Sequence, residues 1–395
     1  MARIATRAVV TLAGLGLVAG SLAAQQKVSL GKPTAESAES FTRIGAIREL
    51  PSGKVLVADP QDKIVQLVDL AAGTMSKVGR EGSGPGEYAL PITLVGLPDG
   101  TTLVHDMLNR RFLVIGADGK PGGFVEQPRP ASPGPGGGMM IGGMSMVRGY
   151  DNQGRLYYAG SPFTSDGAPA DSIPLLRWDR VKPTMDTLGF IRVPAGSASR
   201  SGGGGNVQMR VGVSKRWMPT EAWAVAGDGS VARVMPEPYR VVWMAGRGRT
   251  TSGPVVPYTP MQVTQADKDE FLVERSKNPG LTISMRVGPG GAQVSTGGPA
   301  ARDLPPPEFH DTKPPFDGAA NGVVQATPEG EVWVLRLRRA GDKIPSYDVF
   351  DKTGTLVKQV SLNPGSRVVG FGKGTVYVVR TDEDDLQYLQ RYARP

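Results

Sequence analysis

Cysteine is absent from the 395-residue chain, and histidine occurs only as His105 and His310. The first absence excludes disulfides, thiolate metal sites and a lipid-anchored cysteine behind a leader. The second leaves too few imidazoles for a zinc centre built on three nitrogen ligands. A Ser-His-Asp triad would have to use His310, and no Gly-x-Ser-x-Gly elbow accompanies it. Beyond the first residues there is no apolar run approaching the roughly 20 residues that a spanning helix needs. Nor is there a basic tract. The formal charge is +8, but Lys and Arg are interspersed with Asp and Glu rather than gathered into a stripe, so a nucleic-acid partner is not expected. What is plentiful is glycine (54) and proline (34), together over a fifth of the chain, a composition that suits many short strands joined by turns. A chain of this length can bury an adequate core without disulfides.

The N-terminus has the layout of a secretory leader: Arg3 and Arg7, an uncharged small and apolar stretch over 8–20, then Ser21-Leu22-Ala23 as a small-residue cleavage site. The expected division is a leader over 1–23 and a single domain over 24–395, with a periplasmic or extracellular location and no membrane span after cleavage.

An internal repeat is the main organising signal. Leu50-Pro51-Ser52-Gly53, followed by Val55-Leu56-Val57-Ala58-Asp59, aligns without a gap on Leu97-Pro98-Asp99-Gly100, followed by Thr102-Leu103-Val104-His105-Asp106. Weaker copies carry Gly154, Gly229, Gly330 and Gly374 before apolar strands, and the repeat is faint between Pro183 and Gly322. Each unit reads as strand, glycine turn, strand, loop, strand, turn, strand. The expectation is an all-β six-bladed β-propeller of four-stranded antiparallel blades, closed so that no long sheet edge stays free. Only two strands follow Gly374, so the N-terminal residues Lys27-Val28-Ser29-Leu30 are expected to supply the missing strand of the last blade.

Gly82-Ser83-Gly84-Pro85-Gly86-Glu87-Tyr88, then Pro91, a strand and Pro98-Asp99-Gly100, resembles the linker and strand motif of NHL-type and related six-bladed bacterial propellers. The likeness is good over 50–119 and moderate over 327–392. It implies the fold and a binding surface, not one activity. Calcium-dependent lactonases share the six-bladed form, and for such an ion Asp59, Asp106, Asn152 and Glu221 are the candidate oxygen ligands. No cofactor is otherwise expected.

The extra chain length falls at 127–146, 160–174, 194–215 and 261–316, all second-to-third loops or blade-to-blade links, which share one face of a propeller. Long loops on one side of a rigid scaffold are where binding usually resides. The 261–316 insertion contains one short helix, predicted over 267–277 with Thr264 and Asp267 as capping partners and Phe271 and Leu272 as its apolar side. The methionines at 139, 140, 144 and 146 are a conceivable Cu(I) cluster or, more simply, cover for apolar surface.

Candidate binding residues on this face are Asp59 and Asp106 with Arg336 and Arg380, which occupy one repeat position, together with Arg80, His105, Trp217 and His310. Asp59 and Asp106 have a simpler use as caps of local turns. No catalytic constellation stands out. The expected function is therefore a monomeric binding module for a protein, peptide or glycan of the cell envelope. The alternative is a lactonase-like hydrolase or a lyase with a carboxylate or metal site at the pore mouth.

Overall fold

The computed structural model describes residues 26–128, 146–160, 170–192, 198–201, 208–211, 215–277, 283–288, 291–296 and 307–395. The expected leader lies outside these residues. Local turn chemistry sets the pattern of the rest. At the first repeat the amide of Gly53 donates to the carbonyl of Leu50 at 2.9 Å, and that of Leu50 donates to the carbonyl of Lys54 at 2.8 Å. Gly53 holds φ at +81°, which a side chain would strain, so the turn and its glycine bulge reverse the chain between two strands. All six glycines picked out by the repeat share a positive φ.

These turns generate six four-stranded blades. Blade 1 is Ala46–Glu49, Val55–Asp59, Ile64–Asp69 and Thr74–Lys77; blade 2 is Pro91–Gly96, Thr102–Asp106, Arg111–Ile115 and Pro121–Glu126. Blade 3 is Val147–Tyr150, Leu156–Ala159, Ser172–Asp179 and Thr184–Arg192; blade 4 is Ala222–Val225, Val231–Pro236, Tyr239–Ala245 and Arg249–Ser252. Blade 5 is Val324–Ala326, Val332–Leu335, Ser346–Phe350 and Leu356–Ser361; blade 6 is Ser366–Gly372, Thr375–Thr381, Gln387–Ala393 and, outermost, Ala35–Glu36.

The apolar pattern explains why the blades form a ring. In blade 1 the second strand is buried throughout, whereas the outermost strand is mainly exposed. Its residues alternate between two cores. Val55 and Val57 pack against Tyr377 and Val379 of blade 6, while Leu56 and Ala58 pack against Leu94 and Val104 of blade 2. Blade 6 repeats the rule: Val376 and Val378 face Trp333 and Val349 of blade 5, and Tyr377 and Val379 face blade 1. A strand apolar on both faces needs a neighbour on both sides. Six such interfaces, one between each pair of successive blades, complete the circle.

Closure differs from expectation in one respect. An N-terminal strand does complete the last blade, but it is the two-residue Ala35–Glu36, paired antiparallel with Gln390 and Arg391. The predicted segment, as Gln26–Ser29, lies parallel on the outermost strand of blade 5. Leu30 draws it there: only 6% exposed, it sinks into the core that also holds Trp333, Val360 and Tyr392. The true closing strand was too short and too polar to register as a pattern. It is held by Arg380, whose Nε and Nη2 each donate to the Glu36 carboxylate at 3.0 Å, and by backbone bonds from Thr34, Ser37 and Phe41 to the last strand.

Arg380 holds Glu36 below its ordinary value of 4.5. A lowered carboxylate adds stability that is present above its ordinary value and lost as pH falls through the folded-state one. The pair is partly exposed, so solvent screening limits its worth to about 0.5–1 kcal/mol. Glu36→Gln is expected to lower stability by that amount at pH 7, with the gap to wild type narrowing below about pH 4.5. Trp333→Ala, which empties a core between blades, is expected to cost about 3–5 kcal/mol at either pH. Urea unfolding followed by circular dichroism at pH 7 and pH 4 tests both.

Candidate functional site

Strand order assigns every link to one end of the ring. First-to-second and third-to-fourth turns leave one end, the turn face. Second-to-third loops and blade-to-blade links leave the other, the loop face. The described ends of the lengthened links, 127–146, 160–171, 193–221 and 253–323, all leave and return at the loop face, as does the 336–345 loop of blade 5. Met139, Met140 and Met144 lie outside the described residues.

Asp59, Asp106, Arg336 and Arg380 do end matching strands at the loop face, yet each is engaged locally. Asp59 is fully buried and accepts the amides of Arg43 (2.8 Å), Gln61 (2.9 Å) and Asp62 (3.1 Å), tying the incoming link to the second-to-third turn. Burial pushes its pKa up against the pull of those N–H donors. Asp106 is likewise buried, and accepts the amides of Ala89 and Leu90 at 3.0 Å and the Asn109 side-chain amide at 2.6 Å. Arg380 clasps Glu36, and Arg336 reaches the buried Asp348, which also accepts from Tyr239 and Gln359 at 2.8 Å. His105 is fully buried, its ring 5.1 Å from Phe112, and burial pulls its pKa down to about 4, so it is neutral at pH 7. Asp59, His105, Asp106 and Trp217 take interior positions, where link anchoring and packing claim their side chains, and for Asp59 and Asp106 this includes the capping of local turns. Arg80, 81% exposed, pairs with Glu87 at 2.7 Å within the glycine-rich link.

The acidic set considered for calcium does not converge. Asn152 belongs to a first-to-second turn on the opposite face, and Glu221 is taken up by Arg233 and the amide of Arg192, both at 2.6 Å. Among the described residues no three His, Asp or Glu side chains gather as metal ligands would.

Trp217 and His310 enter a cap made from the two longest links. Lys215–Arg216 pairs parallel with Glu308–Phe309, and Met261–Gln262 pairs antiparallel with Thr312–Lys313. The His310 amide donates to the carbonyl of Arg216 at 2.9 Å, and its Nδ1 lies 3.0 Å from the carbonyl of Thr312. The helix, α1 (Gln265–Lys277), begins with the predicted capping pair: Thr264 donates its amide (2.8 Å) and hydroxyl (2.7 Å) to Asp267. Phe271 packs against Trp217 and Phe309, with ring centroids 5.8 and 5.6 Å apart. Leu272, expected on the same side, is 38% exposed, since consecutive helical residues point about 100° apart.

At the base of the cap Lys313, 4% exposed, lies 4.5 Å over the Trp217 ring and donates to Asp267 (2.7 Å) and to the carbonyl of Arg338 (2.6 Å). Asp267 also accepts the amide of Ala340 at 2.7 Å, and Glu270 accepts that of Gly341 at 2.7 Å, so the helix is docked on the blade 5 loop. Burial disfavours charge on Asp267. The Lys313 ammonium, the Thr264 amide and hydroxyl, and the Ala340 amide outweigh it and hold the carboxyl well below the usual range.

Sequence reasoning missed the arginines at the loop-face mouth of the central channel. Arg148, on the innermost strand of blade 3, passes blade 4 and donates to Asn321 at 2.7 Å, just before blade 5. Arg367, on the innermost strand of blade 6, donates to the carbonyl of Ile44 at 2.6 Å and to Gln387 at 3.2 Å. Burial pulls Arg367 down to about 10, against the pull of Tyr347, and the charge of Arg43 adds to the fall. Arg338 stands close enough to the Tyr347 phenol, as Arg367 does, to act on it. A charged residue inside an otherwise apolar innermost strand was the available sign.

No protein-family model matches the chain, and no curated protein does. Among solved structures it is similar to regucalcin, a calcium-binding protein from Agrobacterium tumefaciens, at 11% identity and a TM-score of 0.42, over 93% of this chain and 97% of that one. It is similar to a member of the DUF4221 family from Bacteroides vulgatus, at 6% identity and a TM-score of 0.49, over 94% and 99%. It is similar also to virginiamycin B lyase from Staphylococcus aureus, at 11% identity and a TM-score of 0.40, over 91% and 98%. Identities this low and overlaps this loose say nothing of activity.

The Asp267–Lys313 pair is shielded by one layer of chain instead of the depth of a core, so its loss is set lower than for a deep pair. Asp267→Ala strands the Lys313 ammonium and is expected to cost about 1–3 kcal/mol. Asp267→Leu combined with Lys313→Met should recover only the part due to the stranded charge, since the Thr264 and Ala340 amides and the Arg338 carbonyl still lose their partners. The contribution is present above the ordinary carboxyl value of 3.8 and fades as pH falls through the lowered one. Urea unfolding of the two variants, followed through tryptophan fluorescence, is the measurement.

Proposed function

We propose that this chain is an exported six-bladed propeller that binds a partner, a protein, peptide or glycan of the cell envelope, on its loop face. One observation carries the reading: every lengthened link leaves the same end of the ring, and two of them interlock with a blade 5 loop into one constructed surface. A rigid ring supplies no reason of its own to elaborate a single end, whereas a binding surface does. Export is supported by the leader-like composition of residues 1–23 and by the absence of cysteine, which removes any hazard of wrong pairing in an oxidising compartment. No described helix is long and apolar enough to cross a membrane. The NHL-type motif over 82–100 supports the same reading, since that resemblance implies a binding surface. A lactonase-like or lyase activity would call on acidic side chains near the mouth, and Asp59, Asp106 and Glu221 already spend their oxygens on backbone amides or arginine.

Photo-crosslinking residues placed at Arg80 and Arg339 on the loop face, and at Asp99 and Asp228 on the turn face, test the assignment in the full mature chain mixed with envelope extract. Covalent adducts are expected from the two loop-face positions alone. Adducts confined to the turn face, or none from either face, would overturn it.

A further inference from the structure

Four arginines from four separate segments stand at the loop-face end of the ring: Arg43 in the link into blade 1, Arg148 in blade 3, Arg338 in the blade 5 loop and Arg367 in blade 6. Their positions are joined by a continuous set of contacts. Arg148 bonds Asn321; Gln325, four residues on, donates to the carbonyls of Gly322 (3.1 Å) and Val368 (3.0 Å); Val368 follows Arg367 and donates its amide to the Tyr347 hydroxyl at 2.9 Å. Arg367 bonds the carbonyl of Ile44, the residue after Arg43. Arg148 is exposed and Arg43 and Arg338 are half-buried, whereas Arg367 is the most enclosed, which is why burial lowers its pKa.

None of the four has a carboxylate partner among the described residues. Their hydrogen bonds go to neutral oxygens: Asn321 for Arg148, Ile44 and Gln387 for Arg367, and the Asp342 carbonyl for Arg338 at 2.9 Å. Neutral acceptors orient a guanidinium without neutralising it, and most of the five N–H donors on each group stay free. Of the carboxylates on the same face, Asp348 is held by Arg336 and Tyr239 and Asp317 by Arg216, while Asp62 accepts the Thr42 hydroxyl at 2.8 Å and Asp382 accepts the amides of Asp384 and Leu386. The Ser366 hydroxyl, 7% exposed and without a partner among the described residues, opens the strand that carries Arg367. Like charges gathered in a partly enclosed mouth repel one another, as the effect of Arg43 on Arg367 shows, and such an arrangement is relieved by a bound counter-charge.

We infer that the mouth is a binding site for a small ligand carrying several anionic oxygens, as carboxylate or phosphate groups. Guanidinium forks recognise both through paired, charge-assisted hydrogen bonds. The site is separate from any macromolecular partner on the outer cap and stands or falls independently of it.

Isothermal titration calorimetry on the mature chain, at constant ionic strength, with citrate in one arm and inorganic pyrophosphate in the other, is the test. Saturable binding of one equivalent is expected for at least one anion. Citrate alone marks a carboxylate ligand, pyrophosphate alone a phosphate ligand, and both together a site that reads charge and spacing. Arg148→Gln and Arg338→Gln should each weaken binding about tenfold or more, the loss of a charge-assisted hydrogen bond. Arg110→Gln, which removes the same charge from the exposed second-to-third turn of blade 2 on the loop face, should change it less than about twofold. Unchanged thermal unfolding of the exposed-site variant Arg148→Gln confirms that folding is not the cause. Heats that do not saturate with either anion, or an equal loss in Arg110→Gln, overturn the inference.

Discussion

Ring closure is the constraint on which the rest of this molecule depends. A blade whose second strand is apolar on both faces is insoluble alone and half-satisfied in an open array. Val55 and Val57 would face water if blade 6 did not lie against them, as would Tyr377 and Val379 without blade 1. The contact that makes these neighbours permanent is modest in size: a two-residue strand, amide bonds from Thr34 (2.7 Å), Ser37 (2.8 Å) and Phe41 (2.7 Å), and the Arg380–Glu36 fork. Its leverage comes from topology. The strap joins the first described residues to the last strand, so it holds together chain segments that loop entropy would otherwise drive apart. The preceding Gln26–Ser29 adds a second attachment on blade 5, spreading the seam over two blades.

A ring so closed leaves its two ends with different duties. On the turn face, chain reversals are short and satisfied close by, through their own backbone bonds or through aspartates such as Asp69 and Asp179. On the loop face, links must travel between blades, and their backbone groups need partners. Asp59 and Asp106 supply them, each accepting amides from both the incoming link and the second-to-third turn of its blade. Tyr88 performs a related service under the glycine-rich link, donating its hydroxyl to Val78 at 3.0 Å and accepting the amide of Val65 at 2.8 Å. The recurrence of aspartate at one repeat position therefore reflects a recurrent backbone problem.

That distinction also explains what the sequence disclosed. Turn glycines are legible because positive φ is a local demand with one ready solution, and the alternation of apolar residues is legible because both neighbours of a strand impose it. The Thr264–Asp267 pair was legible for the same reason, being a contact three residues long. Arg380 was found as a position but not as a role, since the role depends on Glu36; for Asp106 the turn-capping use was legible, but its bonds to Ala89 and Leu90 were not, because no local pattern selects those residues. The Arg148–Asn321 contact, between residues 173 positions apart, lay beyond any reading by period. Trp217 was visible as an aromatic at the edge of an insertion. Its burial, 5% exposed beneath Phe271 and Phe309, follows from two insertions meeting, and neither insertion alone announces the other.

The blade 5 loop is where cap and channel mouth become one mechanical unit. The Arg338 guanidinium stands close enough to the Tyr347 phenol to act on it, while its carbonyl accepts the Lys313 ammonium of the cap. The neighbouring amides are committed to the cap as well: Leu337 to the carbonyl of Pro315 at 3.0 Å, Ala340 to Asp267 and Gly341 to Glu270. A loop that would be free to swing is thereby fixed at four successive points by a segment inserted between blades 4 and 5. The long insertion thus does more than add surface: it sets the backbone position of Arg338. Whatever displaces the cap moves Arg338 relative to Arg148 and Arg367, which belong to innermost strands of the ring. Any ligand that favours one arrangement of those charges must, by reciprocity of binding free energies, also favour the cap position that supports it.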